Sequence, residues 1–332
     1  MNAKSNPLEY GCHNGWHKYE NNPVVGPEGG FTFDPCIVRL DDRFRLYLSL
    51  IVPGEDFTSI AFCESEDGLT GWSDITVVMK PREGVAYEDE INRNFVICED
   101  GMFKMWYTAQ SNGGYIPMDF EDKYANSTVE GKWASCICYA TSNDGVKWDA
   151  MDEPVLRAEQ PWEKNSVMGP CVYHDKEENK YRMWYSAGGW AEPDAIGYAE
   201  STDGINWTRP FDEPVIQPDP ANNFEAKKLA GPEIVKQDGW FYMFYVGFEE
   251  LFTAHICLAR SKDGVTGWER CKSNPIIRGG LPESFDYGNT YKPSLYYDKD
   301  NDRWLLYYNG SNGAVERIGI AIHPGRNLWA AD

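Results

Sequence analysis

YAESTDGINW, residues 198–207, is the stretch from which the fold can be read. Tyr198 and Ala199 close an apolar run of strand character, Asp203-Gly204 brings the positive φ of a tight hairpin turn, and Trp207 opens the next strand. The same pattern returns as CESEDGLTGW at 63–72, YATSNDGVKW at 139–148 and LARSKDGVTGW at 258–268, with a weak copy, IAIHPGRNLW, at 320–329. The turn acids are Asp67, Asp144, Asp203 and Asp263, so the steps are 77, 59 and 60 residues. An insertion at about 110–132 accounts for the long step.

Upstream of each turn lie two further strand signals. The units open with DPCIVRL (34–40), RNFVICE (93–99), GPCVYHD (169–175), GPEIVKQ (231–237) and KPSLYYD (292–298). After a polar turn come the aromatic runs FRLYLSL, FKMWYTA, YRMWYSA, FYMFYVG and WLLYYNG. Each unit therefore reads as strands A, B, C and D in antiparallel order, which is a propeller blade. The expectation is an all-β chain, 1–332, forming one five-bladed β-propeller. Its blades fall at about 30–80, 90–157, 165–217, 228–278 and 289–329. Trp148, Trp207 and Trp268 are each followed by a Pro-containing strand D, and the same Trp-to-Pro spacing occurs at Trp16 and Pro23, ahead of any strand A. Residues 16–25 are thus expected to supply the outer strand of the last blade and close the ring, removing an exposed edge.

Composition narrows the partners. A formal net charge of −21 disfavours nucleic acid and anionic membrane. No apolar run reaches the length of a transmembrane helix. The nine cysteines include pairs at equivalent repeat positions, such as Cys36 and Cys171, which reads as small buried hydrophobes and not as a disulfide framework. No Cys/His spacing suits a metal, and no cofactor is expected. The N-terminus shows no secretory signal, so the sequence as it stands reads as cytoplasmic, or as periplasmic or secreted if a signal was removed. Oligomeric state is not legible. Tyr and Trp, 20 and 13 in number, suit both packed sheets and stacking on sugar rings.

In this winding the residues just before each strand A share one mouth with the B-to-C loops, while the Asp-Gly turns lie on the opposite face and are structural. Blade one then places Asp34 at the mouth. Blade two places Glu88, Asp89, Glu90, Asn92 and Arg93 there, and blade three Asn165. Blade four offers Lys228 and Glu233, and blade five Asp286, Tyr291 and Lys292. The B-to-C loops add Trp190 and His255. Glu163, Glu225 and Asp286 each follow an aromatic and precede a Pro by seven residues, a recurrence that favours structural anchoring. Asp34 and the Glu88-Asp89-Glu90 triplet break the repeat, as residues meeting a single substrate should.

Taken together, FDPCIV, YEDEINRN, the MWYSAGG and FYVGF strand ends, the SxDGxxW turns and the NPVV-type strands resemble the five-bladed glycoside hydrolase superfamily of families 43, 32, 117 and 130. Within it the chain is most similar to family 43-like glycosidases and β-xylosidases. The resemblance implies a carbohydrate substrate, an acid before the first-blade Pro acting as base or nucleophile, here Asp34, and compatibility with Ca²⁺ in the channel. It also implies a Glu two residues before a mid-chain Pro, where this chain has Met168 and Ala230. Glycoside cleavage requires two carboxyl groups of separated proton affinity. The assignment from sequence is Asp34 as base or nucleophile and Glu90 as acid, with Asp89 next in line and Arg93 binding an anion or hydroxyl. A glycoside phosphorylase, with phosphate held by Arg93, Lys227, Lys228 and Lys292, and a non-catalytic glycan-binding propeller are the alternatives.

Overall fold

The computed structural model describes residues 9–27, 30–111, 135–188, 193–250 and 253–329. Five sets of strands follow the repeat. The first comprises β2 (Phe31–Arg39), β3 (Phe44–Ile51), β4 (Thr58–Ser65) and β5 (Thr76–Met79). The second comprises β6 (Glu90–Glu99), β7 (Met102–Gln110), β8 (Ser135–Ser142) and β9 (Asp149–Ala150). The third has β10 (Val167–Asp175), β11 (Lys180–Ala187) and β12 (Ala195–Ser201). The fourth has β13 (Lys228–Gln237), β14 (Trp240–Glu250), β15 (Thr253–Ser261) and β16 (Glu269–Arg270). The fifth has β17 (Asn289–Asp298), β18 (Arg303–Ser311) and β19 (Glu316–Pro324). Pairing within each set is antiparallel and sequential. Sets five and one join in one sheet through a single parallel pair, Glu316 with Phe31.

The outer strand differs between sets. In the third it is reduced to two isolated bridges, Ile196 with Ile216 and Glu200 with Thr208. In the fifth it comes from the N-terminus, as the Trp16–Pro23 spacing predicts. There β1 (His17–Lys18) pairs with Ile322 and Ala321, and Val25 bridges Ile318. Lys18 Nζ reaches Asp286 at 2.7 Å, and both side chains are nearly buried.

Consecutive sets are tied by hydrogen bonds at three heights. Nearest the mouth, the second strand of one set accepts a backbone N–H from the first strand of the next. Ser49 takes Arg93 N at 3.1 Å, Thr108 takes Gly169 N at 2.9 Å, Ser186 takes Gly231 N at 2.9 Å, and Asn309 takes Asp34 N at 3.4 Å. Lower down, Cys36 accepts from Val96 N, Cys171 from Ile234 N, Glu233 from Leu295 N and Ser294 from Ile37 N. At the far face the aromatic strands donate to turn glycines: Tyr47 to Gly145 O, Trp106 to Gly204 O, Trp184 to Gly264 O and Tyr307 to Gly68 O, each at 2.8 Å. Each height is interrupted where an apolar side chain stands in, at Val246, Phe95 and Phe244 in turn. The first strands pack in sequence, β2 on β6, β6 on β10, β10 on β13, β13 on β17 and β17 on β2. All nine cysteines are free, and seven are buried in this packing.

The Asp-Gly turns are structural. Asp203 Oδ1 accepts from Ile205 N and Asn206 N, both at 2.8 Å, and Asp67, Asp144 and Asp263 repeat the arrangement. These donors hold the carboxyls of Asp67, Asp144 and Asp263 down at about 2, outweighing partial desolvation. Their stabilisation is complete above the ordinary carboxylate value of about 4 and disappears as pH falls through the depressed values. Thermal unfolding followed between pH 5 and about 2 should therefore show a steep loss of stability below about 4. Lys18→Met should destabilise by about 3 kcal/mol in urea unfolding, because Asp286 is left buried without its cation.

Candidate active site

Each first strand carries a bulge at the same place, and the residue in it has a left-handed backbone. The five are Asp34 (φ 52°), Arg93 (48°), Gly169 (58°), Gly231 (59°) and Lys292 (39°). Only two are glycines. The other three hold a charged side chain in a conformation that costs about 1–2 kcal/mol for an L-residue. All five line one cavity of about 250 Å³, together with Phe31, Phe33, Ala230, Tyr291, Asn309 and Glu316 among others. The glycines also leave room. A methyl on Gly169 would lie 3.6 Å from Arg93 Cδ, and one on Gly231 3.7 Å from Lys292 Cδ. Each cation thus extends over the glycine of an adjoining set.

Asp34 is nearly buried, and its Oδ2 accepts from Ser49 Oγ at 3.0 Å and Arg93 N at 3.2 Å. Arg93 Nη1 is placed by two neutral amides, Asn92 Oδ1 at 3.2 Å and Gln110 Oε1 at 3.4 Å. Among the described residues neither Arg93 nor Lys292 has a carboxylate within ion-pair distance. Asn309 joins the backbone of Asp34 to the carboxylate of Glu316. Its Oδ1 faces Asp34 N, and its Nδ2 donates to Glu316 Oε2 at 3.2 Å. Nothing in the sequence flags Glu316, because it opens a third strand, where no acid recurs from unit to unit. Below the wall, burial pushes the Glu233 carboxyl up to about 7 against the pull of the Lys292 ammonium.

Of the residues expected at the site, the structure brings Asp34, Arg93, Tyr291 and Lys292 into the cavity wall, with Asn92 and Glu233 directly behind it. Other expectations are corrected. Glu90 does not line the cavity: it pairs with Gln110 across the sheet and accepts from Thr58 Oγ1 at 3.0 Å. Asp89 is exposed outside the wall. The bulge of β6 delivers Arg93 alone to the cavity, three residues beyond Glu90. Glu88 is a buried anchor, accepting from Arg82 and from Tyr107 Oη at 3.0 Å. It matches Glu163 with Tyr185 and Arg209, Glu225 with Tyr245 and Arg270, and Asp286 with Tyr308 and Lys18. Glu88 escapes the seven-residue spacing by one position, but Tyr87 ahead of it carries the same signal. Asn165 lies outside the wall, and Lys228 is engaged by Asp194 at 2.6 Å. His255 is buried against Glu249, and burial holds it below its usual value. Trp190 and most of the 110–132 insertion lie outside the described residues. No cluster of metal-ligating side chains occurs among the described residues.

A propeller-like all-β frame hosts many activities, so the class of this protein rests on its relatives. The chain matches the family model of glycosyl hydrolases family 43 over residues 21–329 and belongs to that family. A segment of 130 residues is 38% identical to a 1,2-beta-oligomannan phosphorylase of Thermoanaerobacter sp. (strain X514), covering 36% of this chain and 42% of that protein. A beta-1,2-mannobiose phosphorylase of the same organism is 29% identical over 68% of this chain and 67% of its own length. A solved thermostable family-43 glycoside hydrolase shares the fold, with a TM-score of 0.66 and 18% identity over 90% of this chain and 91% of that one. The family's expected Glu positions are Met168, fully buried, and Ala230, in the cavity wall.

The left-handed charged residues predict a trade of stability for function. Arg93→Gly restores the repeat's glycine and should leave stability in denaturant melts unchanged or raised by about 1 kcal/mol. The same variant should lose ligand binding in the cavity.

Proposed function

We propose that the cavity cleaves a glycosidic bond, with Asp34 activating water or attacking the anomeric carbon and Glu316 protonating the leaving oxygen. The observation that carries this reading is that Asp34 and Glu316 are, among the described residues, the acids lining the cavity wall, and both are tied to Asn309, Asp34 through its backbone N–H and Glu316 through its carboxylate. Two carboxyl groups flanking one site are the minimum that glycoside cleavage requires. We further infer that the five strand sets are the blades of a five-bladed propeller closed by β1. The cyclic order of packing and of inter-set hydrogen bonds supports this.

A second reading, phosphorolysis, is favoured by one specific observation. Arg93 and Lys292 converge on the cavity with no carboxylate within ion-pair distance among the described residues, in a protein of net charge −21. Cations that served only to balance local acids would be paired with them. An oxyanion such as inorganic phosphate fits between a guanidinium and an ammonium. The similarity to two mannoside phosphorylases agrees with it.

The test is a digest of a broad oligosaccharide panel, read by mass, with and without phosphate. Product formation by the wild type should fall by about 10³-fold or more in Asp34→Asn and by about 10²-fold or more in Glu316→Gln. Loss confined to substrates with poor leaving groups would fix Glu316 as the acid. Turnover that persists in both variants would overturn the assignment. Products that form only with phosphate would select phosphorolysis, and saturable binding without product would indicate a glycan-binding propeller.

A further inference from the structure

Glu233 stands at a position whose structural duty is modest. In the other sets the equivalent residues are Cys36, Cys171 and Ser294, each accepting one backbone N–H from the next strand set, and Phe95, which accepts none. Glu233 Oε1 performs that duty for Leu295 N at 3.2 Å. A thiol or hydroxyl suffices for it. The second oxygen, Oε2, is buried and has no hydrogen-bond partner among the described residues. A carboxyl group with a free oxygen in the protein interior is expensive unless it is protonated or faces a cation.

The groups that face Glu233 are few. Lys292 of β17 is the cation that acts on it, Cys171 of β10 lies in contact with it, and Leu295 of β17 supplies the backbone N–H. Cys36 of β2 interacts with both Glu233 and Lys292. Burial pushes both thiols far up, Cys36 to about 12, so neither changes charge near neutrality. Lys292 has no hydrogen bond or ion pair among the described residues, is almost wholly buried, and lines the cavity. The ammonium therefore serves two clients, an anion in the cavity above and the carboxyl of Glu233 below.

We propose that Glu233 is a positioning residue that couples the binding of an anion in the cavity to the uptake of a proton, acting through Lys292. This rests on the anion site of the second reading above. When the cavity is empty, Lys292 favours the ionised carboxylate. When an anion occupies the cavity, the ammonium is compensated, and a charged Glu233 would be buried without a counter-charge. It then takes a proton, and the pair keeps one net positive charge for the ligand. Below about pH 7 Glu233 is already protonated, so the coupling vanishes there. Above it, each unit of pH should weaken anion binding by up to about tenfold, the limit for one linked proton.

Sulfate is the probe, because its charge is constant across this range. Calorimetric titration of the whole protein between pH 6 and 9, in buffers of different ionisation enthalpy, reads affinity and proton uptake together. The wild type should bind sulfate with affinity falling about tenfold per pH unit above about 7 and with uptake approaching one proton. Glu233→Gln, and Glu233→Ser, which copies Ser294 of the fifth set, should bind sulfate with no such slope and no uptake. Lys292→Met should lose most of the affinity. An infrared band of a protonated carboxyl should grow when sulfate is added to the wild type and be absent from Glu233→Gln. Sulfate binding without proton uptake in the wild type, or a slope that survives in both Glu233 variants, overturns the coupling and leaves the anion site standing. Failure of sulfate and phosphate to bind at any pH overturns both.

Discussion

The bulge in the first strand of every repeat is the constraint on which the rest depends. It turns one residue per strand into the left-handed region and aims it at a common centre, and it frees that residue's N–H for the preceding repeat. Ser49, Thr108, Ser186 and Asn309 accept those N–H groups, so the device that ties the repeats together also builds the cavity. At 169 and 231 the residue is glycine. Asp34, Arg93 and Lys292 replace glycine at about 1–2 kcal/mol each, a strain that the surrounding hydrogen bonds sustain. Strain of this kind at three positions around one cavity separates a working site from a packing defect.

Electrostatics divides the acids of this chain into two populations. Glu88, Glu163, Glu225 and Asp286 are buried against a tyrosine hydroxyl and a cation each, and their chemistry is consumed in fixing the approach to each first strand. At the cavity, Asp34 accepts from Ser49 Oγ and Arg93 N, and Glu316 accepts from Asn309 Nδ2. The cations follow the same division, with Arg82, Arg209, Arg270 and Lys18 in the anchors and Arg93 and Lys292 at the cavity.

Much of this architecture is legible in the amino-acid sequence. The Asp-Gly turns state the repeat four times and the aromatic strands five times, and the Trp16–Pro23 spacing places the N-terminal strand on the fifth set, where β1 is found. Asp34 is legible because it breaks the repeat beside a proline, and Arg93 and Lys292 because they are charged variations at the same level of their units. The acid is not. Glu90 is conspicuous in the chain but lies three residues from a bulge that sequence does not announce, and strand pairing turns it toward Thr58. Glu316 reaches the cavity only because a single parallel pair brings β19 against β2, a contact between residues 316 and 31 that no local pattern encodes. Glu88 reads as part of an acidic triplet because its spacing to the strand is one residue short.

The most direct measurement is a crystal structure of the Asp34→Asn protein soaked with an oligosaccharide taken from a digest panel. The predicted result is a sugar ring seated among residue 34, Arg93, Lys292 and Glu316, with its anomeric carbon between residue 34 and Glu316. A ring bound elsewhere on the molecule, with none of these side chains touching it, would contradict the assignment of the bulge residues as the active site.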